Sequence, residues 1–227
     1  NCALTLLPHC GVFVDVGCDH GKLCLAALTA GKAEHAFAID VSAPSLKKAK
    51  ELFAQCGQTA EFIETDGIAG LDPAALSKNG EYAVAVCGMG GEMIAAILAR
   101  GEAAAQRAKL IIMQPMGGER ELRSFLFAHG YAVCEERVVR DAGRYYQLIA
   151  ARYAPGEAAP YADEALLEFG ARNYEMRTRE LHELLSRTHA SRARRMERAL
   201  RHGIRPETLE QELAGVARLL DHWEDKK

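Results

Sequence analysis

The sequence predicts an α/β fold: a doubly wound, mostly parallel sheet with an antiparallel hairpin at its C-terminal edge, followed by a small α-helical, coiled-coil-like domain. Three observations carry that expectation. Apolar strand-like stretches alternate five times with amphipathic helical ones, and two strand-like stretches then follow each other directly. The stretch Val12 to Leu25, VFVDVGCDHGKLCL, reads as strand, tight turn and helix, with the turn marked by Gly17 and Gly21. Beyond Ala154–Pro160, a segment of Ala, Pro, Gly and Glu, the periodicity is helical throughout.

In chain order, residues 1–7 read as the end of a helix leading to Pro8. The first strand and its helix, which starts near Lys22 and runs toward Thr29, are followed by a second apolar run, His35 to Ile39. Ala43 to Gln55 has helical spacing with Lys47, Lys48 and Lys50 outside, and Ala60 to Thr65 is a short strand ending at Asp66-Gly67. Pro73, Asn79 and Gly80 mark a loop before the strand Tyr82–Cys87, which stops at Gly88-Met89-Gly90-Gly91. A helix over Glu92 to Arg100, a strand over Lys109 to Met113 that ends at Gln114-Pro115, and a helix over Glu119 to His129 complete the alternation. Tyr131–Val139 and Tyr145–Arg152, with Asp141 to Gly143 between them, read as the hairpin.

The expected domains are therefore residues 1–153, a linker at 154–160, and a helical hairpin or short coiled coil at 161–227. In the last of these, Leu167, Tyr174 and Leu181 recur every seven residues, and Leu209, Leu213, Val216, Leu220 and Trp223 step by three and four. Gly203 and Pro206 separate the two stretches, Pro206 suiting the first turn of the last helix. A stripe of this kind serves equally as a packing or dimerisation arm.

At 227 residues, 49% hydrophobic and 26% charged, the chain can bury one ordinary core plus an appendage. No apolar run reaches the ~18 residues that span a bilayer, and nothing resembles a signal peptide. Asn1 in place of an initiator Met is compatible with a longer reading frame. Seven cysteines stand singly, with no Cys-x-x-Cys and no paired His spacing; they are expected to be reduced thiols of a cytoplasmic protein, with no metal and no membrane association. The net charge of −3 conceals a concentration of basic side chains. Arg187, Arg192, Arg194, Arg195, Arg198, Arg201 and Arg205 crowd one segment, opposed within it only by Glu197.

In a sheet of this type a ligand lies beyond the carboxyl ends of the strands. The loops there are Gly17–Gly21, Asp40-Val41, Asp66-Gly67, Gly88–Gly91 and Gln114–Met116. Gly17 and Gly21 let backbone approach a ligand closely, and the helix that starts near Lys22 points free N–H groups at it. Asp40, about 20 residues past the turn, suits a ribose diol. The first loop lacks the Gly-x-Gly-x-x-Gly of a dinucleotide site, which counts against a nicotinamide-dependent oxidoreductase. A non-catalytic RNA-binding or scaffold protein on the same fold is the other alternative, against which the intact set Asp19, Asp40 and Asp66 speaks.

The spacing from Asp15 to Gly17 to Gly21, with Asp40 and Asp66 following, resembles the pattern of Rossmann-like S-adenosylmethionine methyltransferases. More narrowly, Asp15-Val16-Gly17-Cys18-Asp19-His20-Gly21, Thr65-Asp66-Gly67, Gly88-Met89-Gly90-Gly91 and Gln114-Pro115-Met116 together resemble the bacterial tRNA (adenine(22)-N1)-methyltransferase family. The resemblance covers nearly the whole chain, because that family also carries a C-terminal coiled-coil arm. Lys22 stands where the family usually has Tyr, and Cys24 where it often has Pro.

The resemblance implies a Rossmann-like sheet and S-adenosyl-L-methionine as cofactor, with tRNA as partner and substrate. It places Asp15, Gly17, Cys18, Asp19, His20, Gly21, Asp40, Val41, Asp66, Gly67, Gly88, Met89 and Gly90 at the cofactor, the second acid holding the ribose and the third loop the adenine. His20, Gly91, Gln114 and Pro115 would face the substrate base, and Arg194, Arg195, Arg198 and Arg201 the tRNA phosphates. Asp19 is the catalytic candidate: adenine N1 becomes cationic as it takes a methyl group, and a nearby anion stabilises that transition state more than the neutral base. As an ordinary residue Asp19 would cap the helix N-terminus, contributing ~1 kcal/mol. His20 would position a base or phosphate, or only satisfy loop carbonyls. Gly88–Gly91 replaces the Asn/Asp-Pro-Pro-aromatic clamp of amino-group methyltransferases, which argues against exocyclic N6 as acceptor; Met89 would supply an apolar face, and Cys87 beside it reads as core. A monomer and an arm-mediated dimer are both compatible with the sequence.

Overall fold

The computed structural model describes residues 2–161 and 163–224. Contacts divide the chain into two units, one of residues 1–136 and 147–160, the other of residues 137–146 and 161–227.

The first unit is built on a seven-stranded sheet in the order β3-β2-β1-β4-β5-β7-β6. After helix α1 (Cys2–Leu6) come strand β1 (Cys10–Val16), α2 (Lys22–Thr29), β2 (Ala33–Asp40), α3 (Ala43–Gln55) and β3 (Glu61–Glu64). Then follow α4 (Pro73–Leu76), a 3-10 turn at Ser77–Asn79, β4 (Tyr82–Met89), α5 (Gly91–Arg100), α6 (Glu102–Arg107), β5 (Leu110–Pro115) and α7 (Glu119–Ala128). Strands β6 (Tyr131–Asp141) and β7 (Arg144–Tyr153) close the sheet. Strands β1 to β5 pair in parallel, and β7 runs antiparallel to β5, Ile112 lying opposite Ala150. Successive strands step outward from β1 to β3 and then in the opposite direction from β4, so the order reverses between β1 and β4, where such sheets open a crevice.

Parallel strands covered on both faces must be apolar along their length. Accordingly Val12, Val14, Val16, Tyr82, Val84, Val86, Ile111 and Met113 are all buried, packed with Ile94, Ile97, Leu98, Leu122 and Leu126 from the helices. Helix α3 starts where the sequence predicts because Ser42 caps it, its hydroxyl accepting the Ser45 N–H at 3.3 Å. At the hairpin edge a cluster of polar side chains enters the apolar interior. Arg123 donates through Nε to Glu136 at 2.7 Å and through Nη2 to Gln147 at 2.8 Å, with neither charged side chain exposed.

Two short helices replace expected loop. Asp72 accepts the Ala74 N–H at 2.9 Å and Pro73 occupies the first turn, so the Asp-Pro pair starts α4 instead of merely marking a bend. Helix α6 follows α5 after Gly101, where a side chain would collide with Ile68.

The second unit has its own core of Val138, Ala165, Phe169, Leu181, Leu185, Val216 and Leu219. Its helices are α8 (Ala165–Phe169), α9 (Ala171–Met176), α10 (Arg179–Arg201) and α11 (Glu207–Glu224). The seven-residue recurrence of Leu167, Tyr174 and Leu181 is not one helical stripe. Gly170, at φ 86°, and Arg177, at φ 51°, break it, leaving the three residues on α8, α9 and α10. Helices α10 and α11 do form the expected pair of long helices on either side of Gly203. The tip of the β6–β7 hairpin, which the sequence places wholly in the first domain, groups with this unit. No helix among the described residues is long and apolar enough to cross a membrane.

Candidate functional site

The loop after β1 is held by its neighbour strand and by one side chain. The N–H groups of Gly17 and Cys18 both donate to the Ile39 carbonyl, at 2.8 and 2.9 Å, and Gly21 donates to Cys18 at 2.7 Å. Asp40, the last residue of β2, then fixes the loop from below. Its Oδ2 accepts the Asp19 N–H at 3.0 Å, and its Oδ1 accepts the Ser42 N–H at 2.9 Å. Each oxygen keeps a further lone pair for a hydroxyl donor. Sequence reasoning placed Asp40 at a ribose but missed this second task, because a hydrogen bond across 21 residues has no local signature.

Three residues of the turn are left-handed: Gly17 at φ 70°, Asp19 at φ 49° and Gly21 at φ 68°. At Gly17 a side chain would also collide with the Met89 methyl, which packs over it. Glycine is the usual solution for such a conformation, and Asp is among the few residues that tolerate it. At Asp19 the chain accepts that strain and places a carboxylate in the loop. That carboxylate is no helix cap: Gly21 holds the cap position of α2 and no side chain bonds there. Asp19 Oδ2 lies 2.7 Å from His20 Nδ1 instead, with the Asp19 side chain 70% exposed.

A cleft of about 420 Å3 opens at the ends of β1 to β4, lined by residues from all four strand ends, among them Val16, Gly17, Asp40, Thr65, Asp66 and Cys87. Val41, Gly67, Gly88, Met89, Met93 and Ile97 complete the wall. The structure thus brings together Gly17, Asp40, Val41, Asp66, Gly67, Gly88 and Met89 of the expected cofactor residues. Cys18 is buried, and Asp15 lies beneath the loop at 3% exposure. Burial pushes the Asp15 carboxyl up to about 7, with Asp40 adding to the rise, while hydrogen bonds from Cys24 oppose it. Burial, with Asp15 nearby, likewise pushes the Cys18 and Cys87 thiols up to about 12, so both stay protonated and unreactive at neutral pH. Cys24, fully buried on α2, packs against Asp15, and Lys22 is exposed.

The remaining loops are cross-tied. At the end of β4 the register shifts between Cys87 and Met89, and Gly88 sits at φ 77°. Met116 donates to the Met89 carbonyl and Gly91 to the Gly117 carbonyl, both at 2.8 Å. Gly91 is buried, and a side chain on it would strike the Gly118 carbonyl, so its glycine serves close packing of two loops and does not line the cleft. Pro115 is also buried, and Gln114 donates to the Pro115 carbonyl at 2.7 Å. Asp66 receives two contacts of 3.0 Å from Arg100 Nη2, a partner that sequence spacing did not reveal. Met93 and Met116 are each 52% exposed; Met116 belongs to the Gln114-Pro115-Met116 motif, whereas Met93, which lines the cleft, was not singled out by the motifs.

In the second unit Arg194, Arg195, Arg198 and Arg201 are exposed on α10. Arg201 lies 3.9 Å from Glu197, and among the described residues the other three have no carboxylate partner. Arg192 differs: it bridges Glu168 at 2.8 Å and Glu212 at 3.2 Å and is structural.

Strand order and a glycine-lined crevice at its reversal make this a Rossmann-like protein. Residues 2–149 match the family described as a methyltransferase domain, and the chain belongs to that family. Among curated proteins it is similar to the tRNA (adenine(22)-N(1))-methyltransferase of Bacillus subtilis (strain 168), 28% identical over 154 residues. That similarity spans 67% of this chain and 63% of the relative's own length. Among solved structures, the B. subtilis tRNA methyltransferase TrmK shares the fold with a TM-score of 0.80 at 20% identity, covering 99% of this chain and 95% of that one. M. capricolum TrmK, solved with S-adenosyl-homocysteine, does so with a TM-score of 0.79 at 18% identity, covering 97% and 96%.

Proposed function

We propose that the protein transfers the methyl group of S-adenosylmethionine to N1 of an adenosine in tRNA, as the B. subtilis relative is named for doing at position 22. The observation that carries this reading is the carboxylate of Asp19, exposed in a left-handed glycine-type position of the loop that Asp40 anchors.

The cleft fits the cofactor. The Asp40 oxygens, held by two backbone donors, suit the ribose diol; Val41, Met93 and Ile97 offer apolar surface to adenine; Gly88 has open space where a side chain would stand. When bound, S-adenosylmethionine supplies a methyl group already activated by its positive sulfur. The protein's work is therefore alignment and electrostatics. Asp19 stabilises the positive charge that develops on adenine N1, and His20 Nδ1 orients its carboxylate. No covalent nucleophile is needed, in keeping with Cys18 and Cys87 held as thiols. The rim formed by Met93 and Met116 suits a flat base lifted out of its stack, and Arg194, Arg195 and Arg198 suit phosphates.

The test is to incubate the protein with methyl-labelled S-adenosylmethionine and unmodified bulk tRNA, digest the RNA and identify the labelled nucleoside. N1-methyladenosine is expected. Label on another nucleoside, or none on RNA, would remove the proposal.

A further inference from the structure

The β6–β7 hairpin tip carries a basic pocket that plays no part in the site above. We propose that this pocket binds a backbone phosphodiester of the RNA substrate, an inference that rests on the reading of RNA as substrate. The pocket, about 300 Å3, lies within the second unit and is lined by Arg140 and Tyr145 from the hairpin and by His182, Glu183, Ser186 and Arg187 from α10.

Its charges do not balance. Glu183 accepts the Tyr145 hydroxyl at 2.6 Å and Arg179 Nε at 2.9 Å, and Arg140 reaches it only at 3.4 Å. Arg187 donates to the Gly143 carbonyl at 3.2 Å and meets no carboxylate among the described residues. Glu183 is thus shared by Arg179 and Arg140, and Arg187 beside them has no carboxylate partner among the described residues. The Arg140 and Arg187 guanidiniums stand 5.8 and 5.1 Å from the Tyr145 ring centre, so one ring, itself pinned by its hydroxyl, holds both. A guanidinium has five N–H donors in a fixed fork suited to phosphate, and the contacts above leave most of them available.

A polyanion suits this arrangement better than an isolated small anion because the charge continues along the helix. At about 100° per residue, Arg187, Arg194, Arg198 and Arg201 fall within an arc of about 60°, opposite the buried stripe of Leu181 and Leu185. At 1.5 Å rise per residue the four cover about 21 Å of helix. The pocket closes one end of this arginine track.

The experiment uses the full chain and measures tRNA affinity across a salt series for wild type, Arg140→Gln/Arg187→Gln and Glu183→Gln, with S-adenosylmethionine affinity and melting temperature as controls. Two lost phosphate contacts should weaken binding about 10- to 60-fold near 0.1 M salt and lower the salt slope by about 2. Glu183→Gln should tighten binding, since it removes the carboxylate that competes for Arg140; a purely structural pocket would show the reverse. Cofactor affinity should not change. If the double variant fails to fold, Glu183→Gln decides, and unchanged or weaker binding overturns the site. Wild-type affinity and slope in a folded double variant overturn it too. Wild-type protein that does not bind tRNA refutes the functional reading itself.

Discussion

Replacing Asp15 by Asn tests the electrostatics beneath the glycine loop. Asp15 is buried, and its carboxyl titrates at about 7 in place of the usual carboxylate value near 3.8. The sign follows from proton binding. Between those two values the unfolded chain has lost the proton and the folded one retains it, so stability falls as pH rises through that window and levels off above about 7. A shift of this size corresponds to on the order of 4 kcal/mol at pH 8 and little at pH 4. Asn keeps the shape of the neutral acid and carries no such penalty. Asp15→Asn should therefore leave the melting temperature nearly unchanged at pH 4 and raise it by roughly 8–16 °C at pH 8, at about 2–4 °C per kcal/mol for a chain of this size. Differential scanning calorimetry from pH 4 to 8 measures this directly. A melting shift independent of pH would mean that Asp15 is ionised and paired in the folded protein, and would refute a neutral buried acid there.

Asp40→Ala removes the acceptor of two loop N–H groups along with the ribose contact, and should weaken S-adenosylmethionine binding by about 1–3 kcal/mol in calorimetric titration. Asp19→Ala should retain tRNA binding but slow methyl transfer ~10²-fold or more in single-turnover assays; near-normal turnover would take Asp19 out of the chemistry. Replacing Arg194, Arg198 and Arg201 together by Gln should lower the salt slope of tRNA binding by about 2–3 without changing cofactor affinity, and an unaltered slope would take these three arginines out of the tRNA contact.

The parts of this structure that were legible in the sequence share a local cause. Gly17 and Gly21 mark the turn after β1, the helical spacing of Ala43 to Gln55 marks α3, and apolar runs mark the parallel strands. What sequence reading lost depends on partners distant along the chain or on breaks that one residue makes. Gly170 and Arg177 cut a regular seven-residue stripe into three helices. Gly91 looked like a ligand-facing glycine, yet its constraint is the Gly118 carbonyl of another loop. Arg192, one of seven arginines in its segment, is distinguished from Arg194 only by Glu168 and Glu212, 24 and 20 positions away. In sequence Asp19 reads as either a catalytic carboxylate or a helix cap, and the reason it is no cap lies in the backbone of Gly21.

Because residues 137–146 belong with the helical unit, that unit is stitched from two separate pieces of chain. Val138 completes its core beside Phe169 and Leu185, and Tyr145 is bonded to α10 through Glu183. The arm is consequently not a detachable cassette. A gene fusion that grafted residues 161–227 onto another sheet would leave their core short of Val138, and a truncation after Pro160 would strand that valine in water at the tip of a long ribbon. Exchange of the arm between proteins must carry the hairpin with it, though 14 residues lie between the two stretches.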